Sequence, residues 1–356
     1  MSRTLKIFIG LGIMAIITAA LVWPGKKKPD SYIFAGQERS GTAILITGAA
    51  ARIPQEAALL EELYNRGLLK DVVFISGASS GALNSVMMNG ILSGKMTWTE
   101  YRNILFSIND SDIFIQEGKK LPVNTEPLRR FVTGVVEDRL GYHTIGDLPY
   151  ATAISVTRAG DLDLKNRVYR MCSRKINVET DTTLSLVDIL MASTSFPVAF
   201  PPASIRNVTT IPDVKYIDGG VGDDHVPYQA LLDYEKSRGA GVEKVYIVSR
   251  KSDSIPEVSE ELRILGLNDR KIFDELGISL DNILYKGFMK KLKAFANEAP
   301  DLINSTYVWI PDFRADFLMF SFSNLKEQFD LTSEWATAHE PVPLSEYLPG
   351  TPSREK

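Results

Sequence analysis

The alternation of apolar and polar positions divides the chain into short buried runs and longer amphipathic ones. Ala43–Thr47 (AILIT) and Asp71–Ser76 (DVVFIS) are continuous apolar runs, the pattern of strands covered on both faces. Between them Leu60, Leu63 and Tyr64 recur at helical spacing, Pro54 sits where a first helical turn tolerates proline, and Gly67 ends the run. After the second strand, Leu83, Val86, Met87 and Ile91 fall at i, i+3, i+4 and i+8, one face of a helix. Strand, helix, strand, helix in this spacing predicts a parallel sheet covered by helices. Further on, TWTEYRNILFSI, EPLRRFVTGVVE and SLVDILMAST read as helices, and YATAISVTR, RVYRMCS, VKYI and KVYIVSR as strands. FPVAFPP is barred from a helix by its prolines. Leu280–Ala296 and Ser323–Thr337 are helical in pattern. The fold class expected is a three-layer α/β/α arrangement on a mainly parallel central sheet.

The N-terminus follows another rule. Arg3 and Lys6 precede an uncharged, mostly apolar run from Ile7 to Trp23, and Lys26, Lys27 and Lys28 follow it. That run approaches the length of a bilayer span. It predicts a single-pass membrane anchor over residues 1–30; the alternative is an export signal that is cleaved, leaving an exported or periplasmic protein. Residues 31–356 then form one catalytic-size domain with a helical C-terminal region. Its composition, 44% hydrophobic and 24% charged, suits a sizeable core. A net charge of -4 argues against nucleic acid as a partner, and the single cysteine, Cys172, excludes an intrachain disulfide and a cysteine-based metal site. No cofactor is expected, and the oligomeric state is not readable.

Three segments carry chemistry. The second strand runs into Gly77-Ala78-Ser79-Ser80-Gly81 and then a helix. In such a Gly-x-Ser-x-Gly step the turn is tight, the flanking positions are small, and the serine hydroxyl stands at the carboxyl edge of the sheet. The following helix directs its N-terminus, with free N–H groups, at the same place. Asp218 follows the short strand VKYI, and Gly219 and Gly220 let the chain turn sharply after it. In a parallel sheet, functional residues collect beyond the strand ends, so Asp218 and Ser79 can meet. The plainer role for Asp218 is to cap its own turn. The third segment, GAAARIP, follows the first strand and offers backbone N–H groups from small residues. A donor of that kind can contribute roughly 2.7–4 kcal/mol to an oxyanion-like transition state.

In this order, with NTEPLRR, ASTSFPVAFPP and YIDGGVGDDHVP, the segments resemble the patatin-like phospholipase family over about Ile44 to Ala230. The resemblance implies Ser79 as nucleophile and Asp218 as its general base in a two-residue dyad, with an acyl-enzyme intermediate. It places the oxyanion hole on Gly48, Ala49 and Ala50, with Arg52 supporting, and implies a phospholipid or other lipid ester as substrate. The loop departs from the family's glycine-rich pattern: Ala49 and Ala50 stand where glycines do. An alanine forced to positive φ costs roughly 1–2 kcal/mol. The family's asparagine–proline pair reads Asp224-His225-Val226-Pro227 here.

A triad would need one of three histidines: His143, His225 or His339. His339 suits the chain order serine, acid, histidine, and His225 lies close after Asp218. The function expected is lipid acyl hydrolysis of phospholipase A or lysophospholipase type. The alternatives are a carboxylesterase with a Ser-Asp-His triad and a catalytically weak, membrane-tethered lipid-binding relative. Leu284, Phe288, Leu292 and Phe295 form an apolar stripe beside Lys286, Lys290, Lys291 and Lys293. The helix carrying them either lies on a membrane surface or packs on the sheet.

Overall fold

The computed structural model describes residues 39–118, 121–159, 167–171, 182–208, 214–222, 224–251, 280–313, 315 and 317–348. In chain order the main elements are β1 (Thr42–Ile46), α1 (Ile53–Asn65), β2 (Val72–Ala78), α2 (Ser80–Leu92), α3 (Trp98–Ser107) and α4 (Glu126–Thr133). There follow β3 (Ala151–Arg158), β4 (Arg167–Met171), α5 (Leu186–Ser193), β5 (Ala203–Ser204), β6 (Lys215–Asp218) and α6 (Gln229–Arg238). The last are β7 (Lys244–Val248), α7 (Leu280–Glu298), β8 (Thr306–Trp309), α8 (Leu325–Ala338) and β9 (Val342–Pro343).

The strands form one sheet in the order β5-β6-β3-β2-β1-β7-β8-β9, with β4 also on β3. β3, β2, β1, β7 and β8 pair in parallel, while β4, β5, β6 and β9 are antiparallel additions. The expected α/β/α class therefore holds. Its layers follow from the two-residue period of a strand. In β1, Ile44 and Ile46 enter the core shared with α1, α2 and α8. Ala43 and Leu45 enter the opposite core, shared with α6 and α7.

The stripe on α7 belongs to that second core. Phe288, Leu292 and Phe295 are buried there, while Lys286, Lys290 and Lys293 are exposed. Burying each of these large side chains contributes roughly 1.5–3 kcal/mol, so the sheet and not a membrane takes this face.

The expected localisation through a single-pass anchor is corrected. Among the described residues no helix is long and apolar enough to cross a membrane. The run Ile7–Trp23 on which that expectation rested, and with it the boundary near residue 30, lies outside the described residues.

One orientation also differs from the sequence reading. β6 is antiparallel to β3, so Asp218 does not lie at the end of a parallel strand. Register brings it to the site instead. Ala78 pairs with Ser155, and the next residue of β3, Val156, pairs with Asp218. Ser79 and Asp218 thus lie at one edge, two strand spacings apart, or about 10 Å between backbones.

Candidate active site

The tight step from β2 into α2 needs both glycines. A Cβ at Gly77 would lie 2.2 Å from the Gly81 carbonyl oxygen, and one at Gly81 would lie 2.1 Å from the Thr47 carbonyl oxygen. Strand and helix could not approach so closely with any larger residue. Between them Ser79 takes φ 57° and ψ -129°. L-residues avoid that conformation, which costs on the order of 1–3 kcal/mol unless the surroundings hold it. Here they do: the Ser79 N–H donates to Ser193 Oγ at 2.9 Å, and Ser193 Oγ donates to the Ser155 carbonyl at 2.8 Å.

The same turn at the end of α5 holds the second residue. The Asp218 N–H donates to the Ser195 carbonyl at 3.0 Å. Its carboxylate Oδ1 accepts from the Gly220 N–H at 2.8 Å, the self-capping turn that Asp-Gly-Gly allows. That bond fixes the carboxyl plane. Gly219 packs on Ser155, where a Cβ would meet Oγ at 2.4 Å, and Ser155 Oγ donates to Asp224 at 2.5 Å. Ser193, Ser195 and Ser155 were not singled out from the sequence, and Asp224 was named there only as standing in the family's asparagine–proline pair. Only the ASTSFPVAFPP segment pointed toward the first two, and it assigned them no role.

The loop after β1 lies over Ser79. A Cβ on Gly48 would sit 3.0 Å from Ser79 Cβ and 3.7 Å from its Oγ. Ala49 keeps a negative φ of -128°, but Ala50 takes φ 48°. The loop therefore carries one strained alanine. The Ala49 N–H donates to Ser80 Oγ at 2.7 Å and is spent there, so the expected oxyanion donors narrow to Gly48 and Ala50. Arg52 is buried and donates through Nε to the Phe317 carbonyl at 2.7 Å; the Ala51 N–H donates to Met319 O at 2.8 Å. These bonds bolt the loop to the C-terminal segment.

Two cavities meet at Ala50, Ser79 and Phe196, which wall both. One has roughly 890 Å³ of empty space and is walled almost wholly by apolar side chains such as Leu83, Met87, Ile104, Leu128, Phe131 and Phe200. The other, roughly 490 Å³, is the more polar chamber of the two and includes Gly48, Asp218, His225, Ser249 and Arg250. Leu284 and Phe288 of α7 close its far side. Of the histidines, His225 alone among the described residues walls either cavity, its ring against Gly287 of α7. His339 stacks on Trp335 with centroids 4.3 Å apart, in a separate groove beside Trp309. His143 is exposed, its N–H donating to Asp147.

The family model of the patatin-like phospholipases matches residues 44–232. A search of the curated proteins finds no match. Among solved structures, VipD from Legionella pneumophila is similar at 11% identity and a TM-score of 0.37, covering 90% of this chain and 73% of that one. The family match spans the sheet from β1 to α6 and contains both Ser79 and Asp218, and on it the chain belongs to the patatin-like phospholipase family of lipid acyl hydrolases.

Proposed function

We propose that the protein hydrolyses acyl esters of phospholipids or lysophospholipids through a Ser79–Asp218 dyad. One observation carries the reading. Ser79 sits at positive φ on a tight strand-to-helix turn of the kind that carries nucleophiles, at the junction of an apolar cavity and a polar chamber that also contains Asp218. The apolar cavity suits an acyl chain, because its walls are almost wholly apolar side chains. The polar chamber suits the glycerol and headgroup side of the ester, and the open junction is where a membrane surface would present it.

The steps follow from these positions. Asp218 takes the proton of the Ser79 hydroxyl as Oγ attacks the ester carbonyl carbon. Charge gathers on the carbonyl oxygen, and the Gly48 and Ala50 N–H groups stabilise it. Collapse breaks the C–O bond, the leaving alcohol receives the proton from Asp218, and the acyl group remains on Ser79. Asp218 then deprotonates a water that attacks the acyl-enzyme; the acyl–Oγ bond breaks, Asp218 returns the proton to Ser79 Oγ, and the fatty acid is released.

Mixed micelles of phosphatidylcholine and lysophosphatidylcholine, with a fluorophosphonate label, test this. Ser79→Ala and Asp218→Asn should each lose at least about a thousandfold in kcat, the scale for losing a nucleophile or its base. Label should be lost in Ser79→Ala and greatly slowed in Asp218→Asn, because the probe reports the activated hydroxyl. Unlabelled, folded wild type would instead favour a lipid-binding relative without catalysis. A second reading, an esterase triad, is favoured by His225 in the chamber wall. It requires His225→Ala to lose activity as fully as Asp218→Asn; in the dyad reading that variant stays active.

A further inference from the structure

Glu56, on α1, is fully buried and has no role in the steps above. Its carboxyl lies in a continuous chain of hydrogen bonds beneath the Gly48–Ala50 loop. Thr47 Oγ1 lies 2.9 Å from Glu56 Oε1, and Asn84 Nδ2 donates to Glu56 Oε2 at 3.1 Å. On one side the Tyr101 hydroxyl donates to Asn84 Oδ1, which fixes the orientation of that amide. On the other, Thr47 Oγ1 and Ser249 Oγ lie 2.8 Å apart, and either can donate. Tyr101 walls the apolar cavity, and Thr47 and Ser249 wall the polar chamber.

Counting protons shows what this chain does. The Thr47 hydroxyl has one proton. When Glu56 is ionised, that proton must go to the carboxylate. Ser249 then donates to Thr47, and its hydroxyl offers the chamber only lone pairs. When Glu56 is protonated, the carboxyl O–H donates to Thr47, Thr47 donates to Ser249, and the Ser249 proton is left for the chamber. Asn84 donates to the carboxyl in both states.

We propose that Ser249 donates a hydrogen bond to an oxygen of the bound ester, and that Glu56 is the positioning residue that sets the direction of that donor. This rests on the acyl-hydrolase reading of Ser79. The groups facing Glu56 are Thr47 from the end of β1, Asn84 from α2, Tyr101 from α3 through Asn84, and Arg250 after β7. Burial favours the neutral acid most strongly. The Thr47 bond, the attraction of Arg250 and the Asn84 bond work against it without overcoming it, and the carboxyl is pushed up to about 8. The Tyr101 phenol is itself driven far up by burial and then by the nearby Glu56, so it stays protonated.

The test is kcat/KM for p-nitrophenyl octanoate from pH 6.5 to 9.5, corrected for spontaneous hydrolysis, in wild type, Glu56→Gln and Ser249→Ala. Wild type should fall about fivefold as pH passes 8, the effect of one ordinary hydrogen bond. Glu56→Gln imitates the neutral acid: its amide nitrogen donates to Thr47, and its oxygen accepts from Asn84. It should keep its neutral-pH rate throughout. Ser249→Ala should sit at the low alkaline level of wild type at every pH, without the step. The inference is overturned by an unchanged alkaline fall in Glu56→Gln, or by wild-type activity of Ser249→Ala at pH 7. Thermal unfolding checks that each variant is folded, and Ser249→Ala decides the matter if Glu56→Gln is not. No turnover by any of the three, with no fluorophosphonate on Ser79, overturns the acyl-hydrolase reading and this inference with it. Turnover with the step intact in Glu56→Gln overturns this inference alone.

Discussion

The two turns that build the site, Gly77–Gly81 after β2 and Gly48–Arg52 after β1, are held in different ways. Each contains a non-glycine residue at positive φ, Ser79 at 57° and Ala50 at 48°. Among the described residues four non-glycine residues have positive φ, and only these two wall both cavities. Around Ser79 every neighbour enforces the conformation: two glycines with no room for a Cβ, and Ser193 holding its N–H. Around Ala50 the anchors grip the flanks instead, through the Ala49 N–H, the Ala51 N–H and the Arg52 guanidinium. In the proposed mechanism, strain at Ser79 aims the attacking oxygen. Strain at Ala50 is what an alanine costs in a conformation that suits glycine.

Substitutions can break or sharpen that contrast. The largest effect is expected at Gly81. An alanine there drives its methyl into the carbonyls of Thr47 and Ile46, and backbone cannot swing aside as a side chain can. Gly81→Ala should lose about 3 kcal/mol or more by denaturant unfolding and abolish esterase activity. A variant as stable as wild type would mean that the step is looser than described. Next comes Ser193→Ala, which leaves the Ser79 N–H without its partner inside the fold. We expect kcat to fall about tenfold with KM unchanged, because a misaimed nucleophile still binds substrate. A rise in KM alone would move Ser193 from aiming the serine to shaping the cavity. The smallest effect is expected at the other turn. Ala50→Gly relieves the strain and should raise unfolding free energy by about 1 kcal/mol, with activity kept. A loss of stability there would show that the loop holds Ala50 as firmly as the elbow holds Ser79.

Much of this was legible in the residues because it is local. The Gly-x-Ser-x-Gly step declares itself within five positions, and Asp-Gly-Gly within three. The strands β1, β2 and β7 are largely continuous apolar runs because both of their faces are covered. β8 was missed: TYVW is short and has no strong pattern, and only pairing with β7 makes it a strand. Ser193 could not be read as a partner of Ser79, because 114 positions separate them. Glu56 was equally hidden. In PQEAALLEEL it looks like one more acid on a solvated helix, and only the loop and α2 packed around it make it a buried hydrogen-bond hub.

By itself the sequence determined which residues could react and where the chain must turn, since small residues and strand ends impose those turns at short range. The tertiary structure decided how they meet. An antiparallel strand, not a parallel one, carries Asp218 to the elbow, because register rather than strand direction fixes which residues reach the edge. It decided that the α7 stripe faces the sheet, and that of three histidines His225 joins the chamber. It also decided that one alanine of the small-residue loop bends to positive φ while its neighbour does not. Those outcomes depend on contacts between residues far apart in the chain, and no local pattern encodes them.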